Sequence, residues 1–538
     1  MQFGRWIWTM AFLSVSFVGA ATGRAADEEK KPQTPPSKEE EYYELMRILA
    51  DTFEQIERNY VKEVDRRALV ESAVRGMLDE LDPYSNYISP DDLSRFNVVV
   101  EQEFGGIGIQ VGIDPQTRRL TVISPLPGTP AYKAGVRSGD TVMEIEGKST
   151  EGVTLDQAVK LLKGKAGEAV TIGVQHQGGT TIEKLTMVRA IIHLSSVLGD
   201  THKADDTWNF MLDNDKKIGY VRLTAFSRDS TRELKEALTA LKDEGMKALV
   251  LDLRFNPGGL LTAATEISDL FIEEGKIVST QGRNTAEKVY NATKKDTFAG
   301  FPMVVLVNHF SASASEIVSA ALQDHKRALI VGERTWGKGS VQNVIELENG
   351  KSALKLTTAS YHRPSGKNIH RFPGAKDTDE WGVSPDESYA VPFTTEDMQK
   401  YLEYRRQRDV LTKDGPPKTD FVDRQLGKAV EYLVGQLSGE NKTADKAAQK
   451  ATEKADAKKP EDKKPEDKKP EEKKGDAKKA DEKPAEKPAA PEKKPEAGDK
   501  KDSEKKPDGS KKPEASAGSA ESDRQPRTIP LYLLPVAA

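Results

Sequence analysis

Three serines, Ser311, Ser313 and Ser315, alternate in the stretch NHFSASASEI, between the apolar run MVVLV and the onset of a helical pattern. At such a strand–turn–helix junction a serine hydroxyl can attack a carbonyl, because the turn exposes it and the unpaired N–H groups of the helix start can bind an oxyanion. The same pattern also serves plain helix capping and small-residue packing. A nucleophilic serine further needs a base. His309 and His325 flank the stretch and keep a Ser-His-Asp arrangement open. Lys338 stands between two glycines in VGERTWGKGSVQ. To act as a base near neutrality it needs a downward shift of about 3 units, roughly 4 kcal/mol of differential destabilisation by burial. A glycine turn in LDLRFNPGGLLTAA offers the unhindered amides of Gly258 and Gly259 after another apolar strand. The chain has no cysteine, which excludes thiol catalysis, Cys-ligated zinc and disulfides.

Positioning these segments falls to alternating strands and helices. From Ile218 to about Val391 the sequence reads KIGYVRL as strand, STRELKEALTALKDEG as helix, ALVLDLR as strand, LLTAATEISDLF as helix, PMVVLVN as strand, ASEIVSAALQDH as helix and ALIVGE as strand. Near-continuous apolar runs such as ALVLDL fit a sheet buried on both faces, and the alternation predicts an α/β layer with parallel crossovers. Ligands in such sheets bind beyond the carboxyl ends of strands. The serine, lysine and glycine segments all fall there.

The whole chain, 538 residues, is 36% apolar and 31% charged, with 81 basic and 86 acidic residues giving a net charge of -5. No basic face is present, so nucleic acid is not expected as a partner. Arg5 followed by the apolar run Trp6 to Ala20 predicts a signal peptide over 1–26, cut after Ala25 or Ala26, and hence an exported, periplasmic or cell-envelope protein. The run is shorter than the roughly 20 residues of a spanning helix; an uncleaved membrane anchor is the alternative. Residues 27–40 read as a charged linker. Tyr42, Met46, Leu49, Phe53, Ile56 and Tyr60 alternate four and three apart, the a/d seam of a helix that packs on its own domain or on a second copy of the chain. A second helix, about Arg67 to Leu81, ends at LDPYSNYISPDD, where prolines and aspartates break the period.

From Val98 short strands alternate with Gly- and Pro-rich turns. EFGGIGIQVGI presents Gly105, Gly106 and Gly108 ahead of an alternating apolar strand, and successive N–H groups in such a loop can converge on an anion. With AGVRSGDTVMEIEG (Ala134 to Gly147) and the helix Leu155 to Leu162, this stretch resembles a PDZ domain. The resemblance implies that a peptide adds as a strand while the loop residues Gly105, Gly106, Ile107, Gly108 and Ile109 hold its terminal carboxylate.

The PDZ-like stretch followed by LDLRFNPGG, SASASEI and GERTWGKGSVQ resembles the C-terminal processing peptidases, tail-specific serine proteases with a Ser-Lys pair, from about Tyr42 to Leu437. The resemblance implies an α/β protease core with a buried mixed or parallel sheet plus an inserted PDZ-like β-rich domain; the sequence pattern outside them adds a helical N-terminal segment and, by composition, a disordered C-terminal tail. The implied division is a helical region 41–97, the PDZ domain 98–190, the protease core 191–395 and a helical region 396–438. Ser313 is the implied nucleophile, Lys338 the base and Gln342 the residue that orients that lysine. The N–H groups of Ala314 and of a turn glycine, Gly259 ahead of Gly258, are the implied oxyanion donors. Glu316 matches an acidic position of the family and equally reads as a first-turn carboxylate favoured by the helix dipole. Neither cofactor nor metal is required. Protein or peptide substrates with free apolar C-termini are the implied partners; the a/d seam, independently of the resemblance, offers a homodimer through the N-terminal helices. Two competing readings are a catalytically inactive PDZ scaffold and a Ser-His-Asp hydrolase.

The tail 439–526 is rich in Lys, Glu, Pro and Ala, a composition that cannot bury a core. Residues 527–538, RTIPLYLLPVAA, are apolar by contrast. They are a candidate ligand for the chain's own PDZ-like domain.

Overall fold

The computed structural model describes residues 37–283, 285–411 and 415–439, and the backbone of Val536 and Ala537. The expected signal peptide 1–26, nearly all of the linker 27–40, the tail beyond Gly439 and the rest of 527–538 lie outside the described residues.

The chain divides between Met77 and Leu78 into two compact units. In the first, the Lys38–Asn59 helix opens on a capping box, with Ser37 accepting from the Glu40 N–H and Glu40 accepting from the Ser37 N–H at 2.8 Å. Glu39, Glu40 and Glu41 sit at its positive end. None of its side chains is buried, and Tyr42, Met46 and Leu49 of the a/d seam are exposed.

In the second unit the Pro90–Glu101 helix carries the chain through Val98, Val99 and Val100 before the first PDZ-like strand, Glu103–Gly106. The strand preference of that valine run is overridden, as tertiary context often does. Five antiparallel strands follow in spatial order, Ile109–Ile113, Leu120–Pro125, Thr141–Ile145, Ala169–Gln175 and Glu183–Val188. The Leu155–Leu162 helix, capped by Thr154 and Gln157, closes a core that includes Ile109, Val111, Leu120, Ile145, Leu162 and Ile172. The two chain crossings into this domain, Glu103–Gly106 and Ala190–His193, pair antiparallel with each other.

The α/β layer is a sheet in which Ile218–Leu223, Ala248–Asp252, Met303–Val307 and Leu329–Gly332 run parallel in that order. Strand residues alternate between two cores. Leu249, Leu251, Val305 and Val307 face the helices Ser230–Asp243, Leu261–Asp269 and Ala314–Asp324. Val250, Val304 and Leu306 face the Arg424–Ser438 helix. Each wholly buried Val, Leu or Ile contributes about 1.5–3 kcal/mol, so both faces pin the strands and fix where they end. Two antiparallel strands, Val197–Leu198 and Met211–Asp213, pair with Ile218–Leu223 and make this sheet mixed. A second, antiparallel sheet, outside the alternating pattern, orders Asn86–Ile88, Ser352–His362, Gly275–Gly282 and Thr285–Ala292, with Ser340–Leu347 also on Ser352–His362.

Candidate active site

The three serines are separated by what their hydroxyls do. Ser311 Oγ donates to the Leu253 carbonyl at 2.8 Å and accepts from the Asn308 N–H. Ser315 Oγ donates to the Asn256 carbonyl at 2.9 Å. Both are fully buried and tie their turn to the neighbouring glycine turn. Ser313, half-buried between them, precedes the Ala314–Asp324 helix with φ +57° and ψ −111°. A non-glycine residue there costs of order 1–3 kcal/mol and persists only when its surroundings hold it. Among the three, only Ser313 carries that strain.

Glu316 is a large part of what holds it. Its buried carboxylate accepts from the Ser313 N–H at 2.7 Å, the Thr335 hydroxyl at 2.6 Å, the Gly337 N–H at 2.6 Å and the Lys338 N–H at 2.9 Å. Burial still pushes its carboxyl above the usual range, against those four bonds.

The glycine turn is laced to the serine turn. Buried Asn256 donates to the Leu223 carbonyl and its own carbonyl accepts from the Ala312 N–H; buried Asn308 accepts from the N–H groups of Phe255 and Phe310. Upstream, Arg254 is paired with Asp252 and Asp423 and covered by Tyr401, anchoring the strand end. Gly258 has φ +100°, and a Cβ there would lie 2.8 Å from Ser313 Cβ and 2.9 Å from the Ala314 nitrogen. Only a glycine lets the backbone approach the serine this closely. The Gly258 N–H is taken by Asn256 Oδ1 at 2.8 Å. For the N–H groups of Gly259 and Ala314, no acceptor occurs among the described residues.

Lys338 arrives on the loop after Leu329–Gly332. Its ammonium sits 5.3 Å from the Tyr84 ring centroid. Burial, and then the nearby Lys355 ammonium, pull its amine down to about 8, against the opposing fields of Glu316 and Asp82. An amine of that strength is neutral in about a tenth of molecules at pH 7. The Tyr361 hydroxyl donates to the Lys338 carbonyl and lies close to the Ser313 side chain.

Gln342 departs from the expected arrangement. Its amide donates to Ser340 Oγ at 2.9 Å and Thr357 Oγ1 at 3.2 Å, with no bond to Lys338 among the described residues. A register shift between Val341 and Gln342 turns the side chain toward the adjoining strand. Thr357 in turn donates to Asp82. Neither histidine joins the serine: His309 is held by Glu333 at 2.8 Å, and His325, at the far end of the helix, bonds to the Lys276 carbonyl at 2.8 Å. Asn256, Asn308, Tyr361, Lys355, Asp82 and Tyr84 were not singled out from sequence. Asn256 and Asn308 lie inside the glycine-turn and serine-turn motifs, and Asp82 and Tyr84 in the turn that ends the second helical pattern.

In the PDZ-like domain, Gly108 has φ +79°, and a Cβ there would lie within 2.6 Å of three Thr129 side-chain atoms. The carbonyls of Ile107 and Gly108 accept from Ala131 and Leu126. The N–H groups of Ile107 and Gly108 find no acceptor among the described residues. Gly105 and Gly106 lie in the Glu103–Gly106 strand, and Ile109 opens the next, with its side chain fully buried.

Three family models match the chain: peptidase family S41 over residues 217–388, the PDZ domain over 97–175, and the N-terminal domain of the activating protease CtpB over 9–91. A carboxy-terminal-processing protease of Bartonella bacilliformis is 35% identical over 419 residues, covering 74% of this chain and 91% of that one. The carboxy-terminal processing protease CtpA of Bacillus subtilis is 36% identical over 391 residues, covering 72% and 77%. Among solved structures, a photosystem II D1 C-terminal processing protease is 29% identical and covers 68% of this chain and 98% of its own, with a TM-score of 0.37.

Proposed function

The chain belongs to the carboxy-terminal processing proteases, serine-type peptidases of family S41 with a PDZ domain, and on that premise we propose that Ser313 and Lys338 carry its chemistry. Neutral Lys338 takes the Ser313 proton as Oγ attacks the scissile carbonyl. The N–H groups of Ala314 and Gly259 bind the oxyanion. Lys338 then protonates the leaving amine, and water hydrolyses the acyl-enzyme. The observation that carries this reading is the strained Ser313 beside two backbone donors that find no acceptor among the described residues, on the same carboxylate that fixes the Lys338 loop. Gln342 acts as a positioning residue through Thr357 and Asp82, whose charge bears on Lys338.

Substrates are proteins or peptides with free apolar C-termini, bound along the Ile109–Ile113 strand and held at the open amides of Ile107 and Gly108. The apolar run Trp6 to Ala20 supports export. No helix among the described residues is long and apolar enough to cross a membrane. The exposed a/d seam of Lys38–Asn59 supports a homodimer through that face.

The deciding experiment is cleavage of a peptide with an apolar C-terminus by purified variants. Ser313→Ala and Lys338→Ala lose at least about a thousandfold in kcat/KM, while His309→Ala and His325→Ala retain activity. Full activity in Lys338→Ala overturns the assignment of the base.

A further inference from the structure

The edge strand Ile109–Ile113 is already paired in this chain. Val536 and Ala537 form a short strand antiparallel to it, with Val536 opposite Val111 and Ala537 opposite Gln110. They extend that sheet by one strand at the edge next to the Leu155–Leu162 helix. The direction carries meaning. Antiparallel pairing in this register runs from Val536 to Ala537 in the direction of Ile109 and of the loop whose Ile107 and Gly108 amides have no acceptor among the described residues. Strand addition at an edge, ending at open loop amides, is the mode by which such a groove takes a peptide tail.

The geometry points to the apolar segment 527–538 as a tethered ligand that occupies the PDZ groove in cis and competes with substrate tails. This rests on the reading of the groove as a tail-binding site. The stretch between Gly439 and Val536 is about 95 residues, most of them in the Lys/Glu/Pro/Ala-rich run, and a coil of that length has a root-mean-square reach of about 50 Å. That exceeds the width of a small domain, so the tether permits the pairing without strain. A tether matched to its span gives an effective concentration of roughly a millimolar. If the segment itself binds the groove with a Kd of about 0.1 mM, that concentration raises the apparent Kd of a competing substrate tail about tenfold. The enzyme would favour substrates with strong tails, or substrates delivered at high local concentration, over casual apolar ends.

The test uses Ser313→Ala, which cannot trim itself, and fluorescence anisotropy with a labelled peptide ending in Leu-Pro-Val-Ala-Ala. Full-length Ser313→Ala is compared with the same chain lacking 527–538, and with one in which 527–538 is replaced by Gly/Ser of equal length. The expected result is at least about tenfold tighter peptide binding in both altered chains. Equal, measurable affinity in all three overturns occupation in cis. Binding to none overturns instead the underlying reading that this groove takes apolar tails. Loss of the tail from active enzyme but not from Ser313→Ala, read by intact mass, would show that the seated segment is also cut.

Discussion

Oε2 of Glu316 accepts from the Ser313 N–H at 2.7 Å and from the Lys338 N–H at 2.9 Å, so one oxygen fixes the backbone of both proposed reacting residues. The other oxygen holds Thr335 and Gly337. Relative placement of nucleophile and base therefore passes through this buried carboxylate. It does not depend on a direct side-chain bond.

Glu316→Gln is the sharpest test of that arrangement. The amide keeps the shape but faces one pair of donors with an NH2 group, leaving two buried donors unpaired at about 1–3 kcal/mol each. We expect a loss of at least about 2 kcal/mol in stability by urea denaturation and of at least about a hundredfold in kcat, with tail-peptide affinity unchanged. Near wild-type kcat in a stably folded Glu316→Gln would remove Glu316 from the positioning role.

Lys338 makes the fold less stable than a neutral side chain of its shape would. With its amine pulled from 10.5 down to about 8, the charged form is disfavoured in the folded state by up to about 3 kcal/mol. The sign follows from linkage: the unfolded chain holds more protons between those two values, so the penalty is full below pH 8 and fades as pH rises toward 10.5. Lys338→Met should thus be inactive yet melt higher than wild type at pH 7, by a margin that shrinks above pH 8. A lower melting temperature at pH 7 would count against a desolvated amine.

Much of this site was legible because the chemistry sits in compact motifs. The turn NHFSASASEI, the glycines after LDLR and the glycine-flanked Lys338 each lie at a strand end of a buried parallel sheet, and apolar runs such as MVVLV announce those strands. What escaped was the antiparallel sheet. Ser340–Leu347 is mostly exposed or half-buried, and Gly275–Gly282 and Thr285–Ala292 are rich in polar residues, so periodicity barely marks them. Tyr361 and Lys355 reach the site from that sheet, and Asp82 and Tyr84 from the loop feeding its edge. The roles of Ser311 and Ser315 were equally hidden, since a hydroxyl that ties two turns together has the same sequence as one that attacks.

The activity of wild type should rise with pH through a limb near pH 8, set by deprotonation of Lys338. Lys355 lowers that amine by like-charge repulsion. Lys355→Met removes the repulsion, so the limb of the kcat/KM profile should move to higher pH and activity at pH 7 should fall, with the plateau at high pH largely kept. An unmoved limb would show that Lys355 does not act on the base.

The last prediction concerns the approach of the glycine turn to the nucleophile. Gly258 lies at φ +100°, and an added methyl would stand 2.8 Å from Ser313 Cβ and 2.9 Å from the Ala314 nitrogen, one of the two proposed oxyanion donors. Both contacts are too close to be absorbed by a flexible side chain, because one partner is backbone and the other is the already strained Ser313. Gly258→Ala must therefore push the two turns apart. Losing one oxyanion donor costs about a hundredfold to a thousandfold in kcat, and we expect a fall of that size. KM for a tail-bearing peptide should change little, since the PDZ groove is built from other strands. If Gly258→Ala instead raised KM at constant kcat, the turn would be part of substrate binding, and the oxyanion would have to be held elsewhere.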